Sequence, residues 1–267
     1  MWPLDLCLSE LRTMGYSAVE LCLEHPDVAP RTLDSARCEA VAEQLSGLRL
    51  SSVSFHGKRE HPALKAEYTR LLIDGAVRLR SAGAPSDTVV IAPPERRKRD
   101  DAREHQRRFM ELVRLLRELC PVAADAGLFL AVEPEPDTVV HGGADLDRLL
   151  DAVGHDALRV NLDVGHTFLT EPDPLAEIRR LSGRLAGVHV EGMARGVHKH
   201  LLPGEGDLDL PAALATLWEV GYRRPVVVDL FDIQDDPPAH ADAALRGLHR
   251  CLQAAAFVPL GPAALSA

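Results

Sequence analysis

Aromatic side chains are scarce: tryptophan, tyrosine and phenylalanine together make up 4% of the 267 residues. A core must therefore come from aliphatic packing, and with 46% hydrophobic residues there is enough material for a sizeable one. Cysteine is sparse as well. The five cysteines, Cys7, Cys22, Cys38, Cys120 and Cys251, show no CxxC spacing and leave an odd count, which argues against a disulfide framework and for a reducing compartment. No apolar run approaches the roughly 20 residues of a membrane-spanning helix. No charged-then-apolar leader opens the chain, so a cytoplasmic protein without a membrane partner is expected. Basic residues are outnumbered, 30 against 40 acidic, for a net charge of −10. That balance counts against a surface built to neutralise nucleic-acid phosphates. A homo-oligomer stays open.

Short apolar runs alternate with helix-length amphipathic segments along the whole chain. Strands are expected at Ala18–Leu23, Leu48–His56, Thr88–Ala92, Leu128–Glu133, Leu158–Asp163, Leu185–Val190 and Pro225–Asp229. Their near-continuous apolar character indicates a parallel sheet covered on both sides. The fold class is therefore α/β, of the (β/α)8 barrel type. Seven strands are read and the chain opens on a helix, so the first strand is missing from the N-terminus. It would precede Trp2, and a truncated start is the expected reason. One barrel domain over residues 1–256 and a loose Pro/Ala/Gly-rich tail over 257–267 complete the reading.

The stretch from Val160 to Asp209 carries most of the chemistry. It reads VNLDVGH and, after a helix-sized gap, GVHVEGMARGVHKHLLPGEGDLD. Four expected strands end in metal-ligand side chains: Glu133, Asp163, His189 and Asp229. Singly, each is also what a polar residue at a strand-to-loop junction looks like. Together, a parallel barrel brings all four to one rim. Carboxylates with one imidazole suit Mn²⁺, Mg²⁺, Co²⁺ or Zn²⁺. His166, three residues past Asp163, is a further candidate for the same mouth. So are His56 after an earlier strand, His198 and His200 on alternate positions of a loop, and Arg195, which could reach a polyhydroxy or anionic ligand. Glu135 is either a substrate contact or a loop acid, and Glu191 could orient an imidazole. The run Arg96-Arg97-Lys98-Arg99 reads as a solvated helix start.

In combination LAVEPEP, VNLDVGH, GVHVEGMARGVHKHLLPGEGDLD and PVVVDL resemble the xylose isomerase-like TIM barrels. These include sugar phosphate isomerases and epimerases and, more distantly, ketose 3-epimerases and endonuclease IV. The resemblance implies a metal-dependent isomerase or epimerase acting on a small-molecule substrate, a sugar, sugar phosphate or related α-hydroxy-ketone, by proton transfer through a metal-bound enediolate. It implies Glu133, Asp163, His189 and Asp229 as metal ligands, with Glu133 and Asp229 also the catalytic pair. His166 and Arg195 match substrate-binding positions, and His56, His198 and His200 are assigned to the same mouth. The last-strand acid is normally Glu in the epimerases; here it is Asp229, one methylene shorter. An endonuclease IV-like hydrolase would need a fuller set of extra ligands, since the strand that should supply a companion to His56 ends at Ala92-Pro93. That hydrolase and a non-catalytic degenerate barrel are the alternatives.

Overall fold

A computed structural model of the chain describes residues 2–57, 60–96, 101–231 and 235–256. The tail over 257–267 and residues 97–99 of the basic run lie outside the described residues.

Helix α1 (Leu4–Met14) buries Leu4 and Leu8 and ends at Gly15, whose φ of 102° suits glycine. Strand β1 (Ala18–Cys22) follows, then α2 (Ser35–Gln44), β2 (Arg49–Phe55), α3 (Pro62–Ser81) and β3 (Thr88–Ile91). Next come α4 (Ala102–Asp125), β4 (Phe129–Val132), α5 (Gly143–Val153) and β5 (Leu158–Asp163). A short α6 (Val164–Thr170) leads into α7 (Pro174–Leu181) and β6 (Leu185–Val190). A hairpin of β7 (Gly192–Ala194) and β8 (Val197–Leu201) precedes α8 (Leu210–Glu219), β9 (Val227–Val228) and α9 (Pro237–Ala254). Aspartates start many of these helices. Asp34, Asp101, Asp173 and Asp209 each accept a backbone N–H from the first turn, which satisfies donors the helix cannot.

Seven strands form one parallel sheet in the order β1-β2-β3-β4-β5-β6-β9. Every sequential neighbour is paired except where the hairpin intervenes, as short right-handed β/α crossovers dictate. The sheet is nearly closed. Its end strands, β1 and β9, are not hydrogen-bonded to each other, and both line a cavity of about 390 Å³ shared with α1 and α9. Across this seam the Tyr16 hydroxyl donates to the Ala241 carbonyl at 2.9 Å. An eighth parallel strand has no counterpart among the described residues, in keeping with the sequence reading. Most of the core lies between sheet and helices and is overwhelmingly aliphatic. In a separate small cluster Val90 and Ala131, register partners on β3 and β4, meet Ala186 of β6, a strand that neighbours neither in the sheet, so the cluster fills the barrel interior beneath the polar rim.

Three local readings change. Val197–Leu201 is not an open loop but one arm of an antiparallel hairpin, with Met193 paired to His200. Residues 164–170 form a helix because the Asp163 carboxylate caps it, accepting the His166 N–H at 2.7 Å. The last strand shrinks to two paired residues, since β9 has a hydrogen-bonded neighbour on the β6 side only.

The hairpin is fastened where Gly206 meets it. Gly206 has φ of 80°, and a Cβ there would lie 2.4 Å from the Met193 carbonyl oxygen. Gly206→Ala should therefore lose about 1–3 kcal/mol of stability, whereas Gly183→Ala, with open space around it, should stay near wild type. Denaturant midpoints for the two variants test this; equal midpoints would show that the hairpin is not held at this glycine.

Candidate metal centre and active site

The parallel strands deliver polar side chains to the carboxyl rim, each anchored by the ladder just below it. The Glu133 N–H donates to Ile91 O and the Asp229 N–H to Val190 O, both at 3.2 Å. Asp163 and His189 are direct register partners on β5 and β6. One donor atom from each of Glu133, Asp163, His189 and Asp229 lies within 4.8 Å of all the others. Glu133, Asp163 and His189 are buried and Asp229 is half-buried.

The contacts aim these atoms. Asn161 Nδ2 donates to Glu133 Oε2 at 2.9 Å. Asp163 spends Oδ1 on the α6 cap. Asp229 Oδ1 accepts the Phe231 N–H at 3.0 Å, leaving Oδ2 3.9 Å from His189 Nδ1 and 3.7 Å from His200 Nδ1. His189 Nδ1 is 3.4 Å from Glu133 Oε2. Asp163 Oδ2 and His189 Nδ1 are buried yet make no hydrogen bond among the described residues. Buried polar atoms without partners are costly. Three carboxylates and one imidazole with two such atoms in one cluster fit a divalent cation, whose ligands sit at about 2.0–2.2 Å. A modest inward movement of the four side chains would complete the shell.

Charge is concentrated here. Burial works against an ionised Glu133, but His189, then His56 and His166, hold its carboxyl well below the usual range. Burial likewise opposes a charged His189, and Glu133 and Glu20 outweigh it, raising that imidazole well above its ordinary value. Glu191 goes the other way. Burial first, then the charges of Asp163 and Asp229, push its carboxyl far above the usual range. Gly165 makes room for it, because a Cβ there would lie 1.8 Å from Glu191 Oε1.

A second group adjoins the first through His166. Its Nδ1 faces Asp163 Oδ1 at 3.6 Å and Glu133 Oε1 at 3.7 Å. Its Nε2 lies 2.9 Å from His198 Nε2 and 3.4 Å from His200 Nε2. The alternation of side chains on β8 puts His198 and His200 on one side of the hairpin. His198 also meets Asp137 Oδ2 at 3.3 Å, and burial with the neighbouring His166 lowers its pKa. Glu135 is buried beside Glu133 and His166.

Not every candidate joins these clusters. Arg195 is exposed, its guanidinium 4.4 Å above the Phe168 ring and its backbone N–H donating to Asp207. His56 is paired with Glu24 at 3.9 Å, and the Cys22 thiol donates to the same carboxylate at 2.9 Å. Two members of the site were not singled out from the sequence. Glu20 on β1 meets His189 Nε2 at 3.2 Å, and Asn161 holds Glu133. The signal for Glu20 was an acid in the middle of an apolar strand; for Asn161, a polar residue two positions before Asp163, hence on the same face of β5.

The raised His189 has a pH signature. A histidine whose folded pKa is raised contributes stability that is complete below its unfolded value, about 6.5, and lost as pH rises through the folded value. EDTA-treated protein should therefore lose stability from about pH 6.5 upward, and His189→Gln should flatten that part of the profile. Urea midpoints across this range decide; an unchanged slope in the variant would mean that the ring is not charged.

Comparison with known proteins places the chain. Residues 8–251 match the model of the xylose isomerase-like TIM barrel. The chain is 28% identical to the rhizopine catabolism protein MocC of Rhizobium meliloti, over 96% of this chain and 83% of that protein. It is 25% identical to the L-ribulose-5-phosphate 3-epimerase UlaE of Salmonella paratyphi C, over 88% of this chain and 84% of the relative. Among solved structures it resembles an IolI protein with a bound zinc atom, with a TM-score of 0.73, 18% identity, and 96% and 94% of the two chains covered. As its motifs indicated, the chain belongs to the xylose isomerase-like TIM barrel family.

Proposed function

We propose that the protein is a divalent-metal-dependent sugar isomerase or epimerase, acting on an α-hydroxy-ketone or its phosphate. The observation that carries this reading is the convergence of Glu133, Asp163, His189 and Asp229 within 4.8 Å at the carboxyl rim of a parallel barrel. The similarity to a ribulose-phosphate 3-epimerase and to a zinc-binding barrel of the same fold supports it. A cation held by these four residues would polarise a substrate carbonyl and acidify the adjacent C–H.

The chain's own groups supply the rest. Glu133 and Asp229 reach toward the same His189 nitrogen from different strands, so two carboxylates are available to take and return a proton. Glu133 is kept ionised by the imidazoles around it and aimed by Asn161, so it is in the form that can accept a proton. Asp229 is the more exposed of the two, and the Phe231 N–H fixes its rotamer through Oδ1. His166, bridging the two clusters, can donate to a substrate oxygen, and Arg195 on the hairpin can close over hydroxyls. Proton return to the opposite face of the same carbon gives epimerisation; return to the neighbouring carbon gives isomerisation.

The three-histidine group favours a second reading, a hydrolase of the endonuclease IV type with more than one ion. Metal content separates the two. One ion per chain is expected, and two or three would support the hydrolase.

Incubation with ketoses and ketose phosphates in D₂O should wash deuterium into the carbon next to the carbonyl. EDTA should abolish the exchange and Mn²⁺ or Co²⁺ restore it. Glu133→Gln should slow it by about 10²–10⁴-fold, the usual contribution of a positioned acid–base group. Full exchange by metal-free protein, or by the Gln variant, would reject the proposal.

A further inference from the structure

His189 is hydrogen-bonded at one ring nitrogen and not at the other. Its Nε2 meets Glu20 Oε2 at 3.2 Å, and its Nδ1 faces the carboxylates of the tetrad without a hydrogen bond. A carboxylate accepts and does not donate, so the hydrogen of a neutral ring belongs on Nε2. Glu20 is itself held in place. The Ser52 hydroxyl donates to the same Oε2, and the Glu20 side chain is only 8% exposed. Glu20 stands on β1, at one end of the sheet, and His189 on β6, with β9 at the opposite end between them in the ring of strands. The contact therefore spans the unpaired seam.

Building on the metal-centre reading, we propose that Glu20 is the positioning residue of that centre. It holds the Nε2–H of His189, fixes the ring's tautomer and rotation, and leaves the Nδ1 lone pair as the donor toward Glu133, Asp163 and Asp229. The Glu20 carboxylate acts through the imidazole, on the ring nitrogen away from the cluster. Such outer partners of metal-bound histidines are worth about 10–100-fold in affinity. The pairing also explains why an acid interrupts the apolar run Ala18–Leu23: the group that orients the sixth strand's histidine must come from across the gap, since β9 presents Val227 and Val228 at that level.

The test uses full-length protein and Zn²⁺ as the probe, with zinc affinity by chelator competition and the His189 tautomer by long-range ¹H–¹⁵N correlation. Zinc-loaded wild type should show Nε2 protonated and Nδ1 metal-bound. Glu20→Ala should bind zinc about 10–100-fold more weakly. Glu20→Gln, which keeps an acceptor oxygen, should recover most of that loss. Wild-type affinity in Glu20→Ala, or metal on Nε2 in the wild type, would overturn the proposal. Should Glu20→Ala fail to fold, the wild-type tautomer and the Gln variant still decide. Failure of wild type to bind zinc would remove both this role and the metal-dependent function. Zinc bound as expected without any exchange of substrate protons would remove only the function.

Discussion

The site depends on the burial of an imidazole among carboxylates. His189 sits between Glu20 on one ring nitrogen and Glu133 and Asp229 on the other. In a low-dielectric interior an unpaired charge of either sign is expensive, so each member makes the others tolerable. Glu133 stays ionised because imidazoles surround it. Glu191, which faces mainly other acids, is driven toward its neutral form. The same carboxyl group is thus pushed in opposite directions within one pocket, by burial and neighbours together.

The barrel makes this crowding affordable. Parallel strands end at one rim, and their ladders pin the backbone directly beneath the polar side chains. Below the rim the interior is filled by small residues, Val90, Ala131 and Ala186, which suits a chain poor in aromatics. Glycines do specific work beside the polar groups. Gly165 leaves space for Glu191, and Gly187 for Asn161, whose Oδ1 would lie 2.1 Å from a Cβ at that position. A larger residue at either place would displace the polar group beside it, at Gly187 the Asn161 amide that aims Glu133.

The hairpin adds a second layer of control. It projects from the rim after β6 and lays His198 and His200 against His166. Because His166 also faces Glu133 and Asp163, one ring joins the hairpin to the four-residue cluster. Family membership fits this division of labour: a constant barrel supports a ligand cluster, while loops and short appended elements vary the chemistry.

Alternation of apolar runs and amphipathic segments was enough to specify seven parallel strands and the rim positions of residues 133, 163, 189 and 229, because strand ends are local features and a parallel sheet sends them all one way. The hairpin was not legible, since Val197–Leu201 carries two histidines and a lysine where strand patterning would place apolar residues. Nor was α6, which is only seven residues long and depends on a carboxylate that the strand end also supplies. Glu20 and Asn161 stayed hidden for a different reason. Their importance lies wholly in what they touch, and Glu20 is 169 residues from its partner. Sequence by itself determined which side chains could bind a cation and on which elements they ride. Only the curling of the sheet decided which nitrogen of His189 faces the cluster, because that orientation depends on a contact between β1, at one end of the sheet, and β6, next to the strand at the other end.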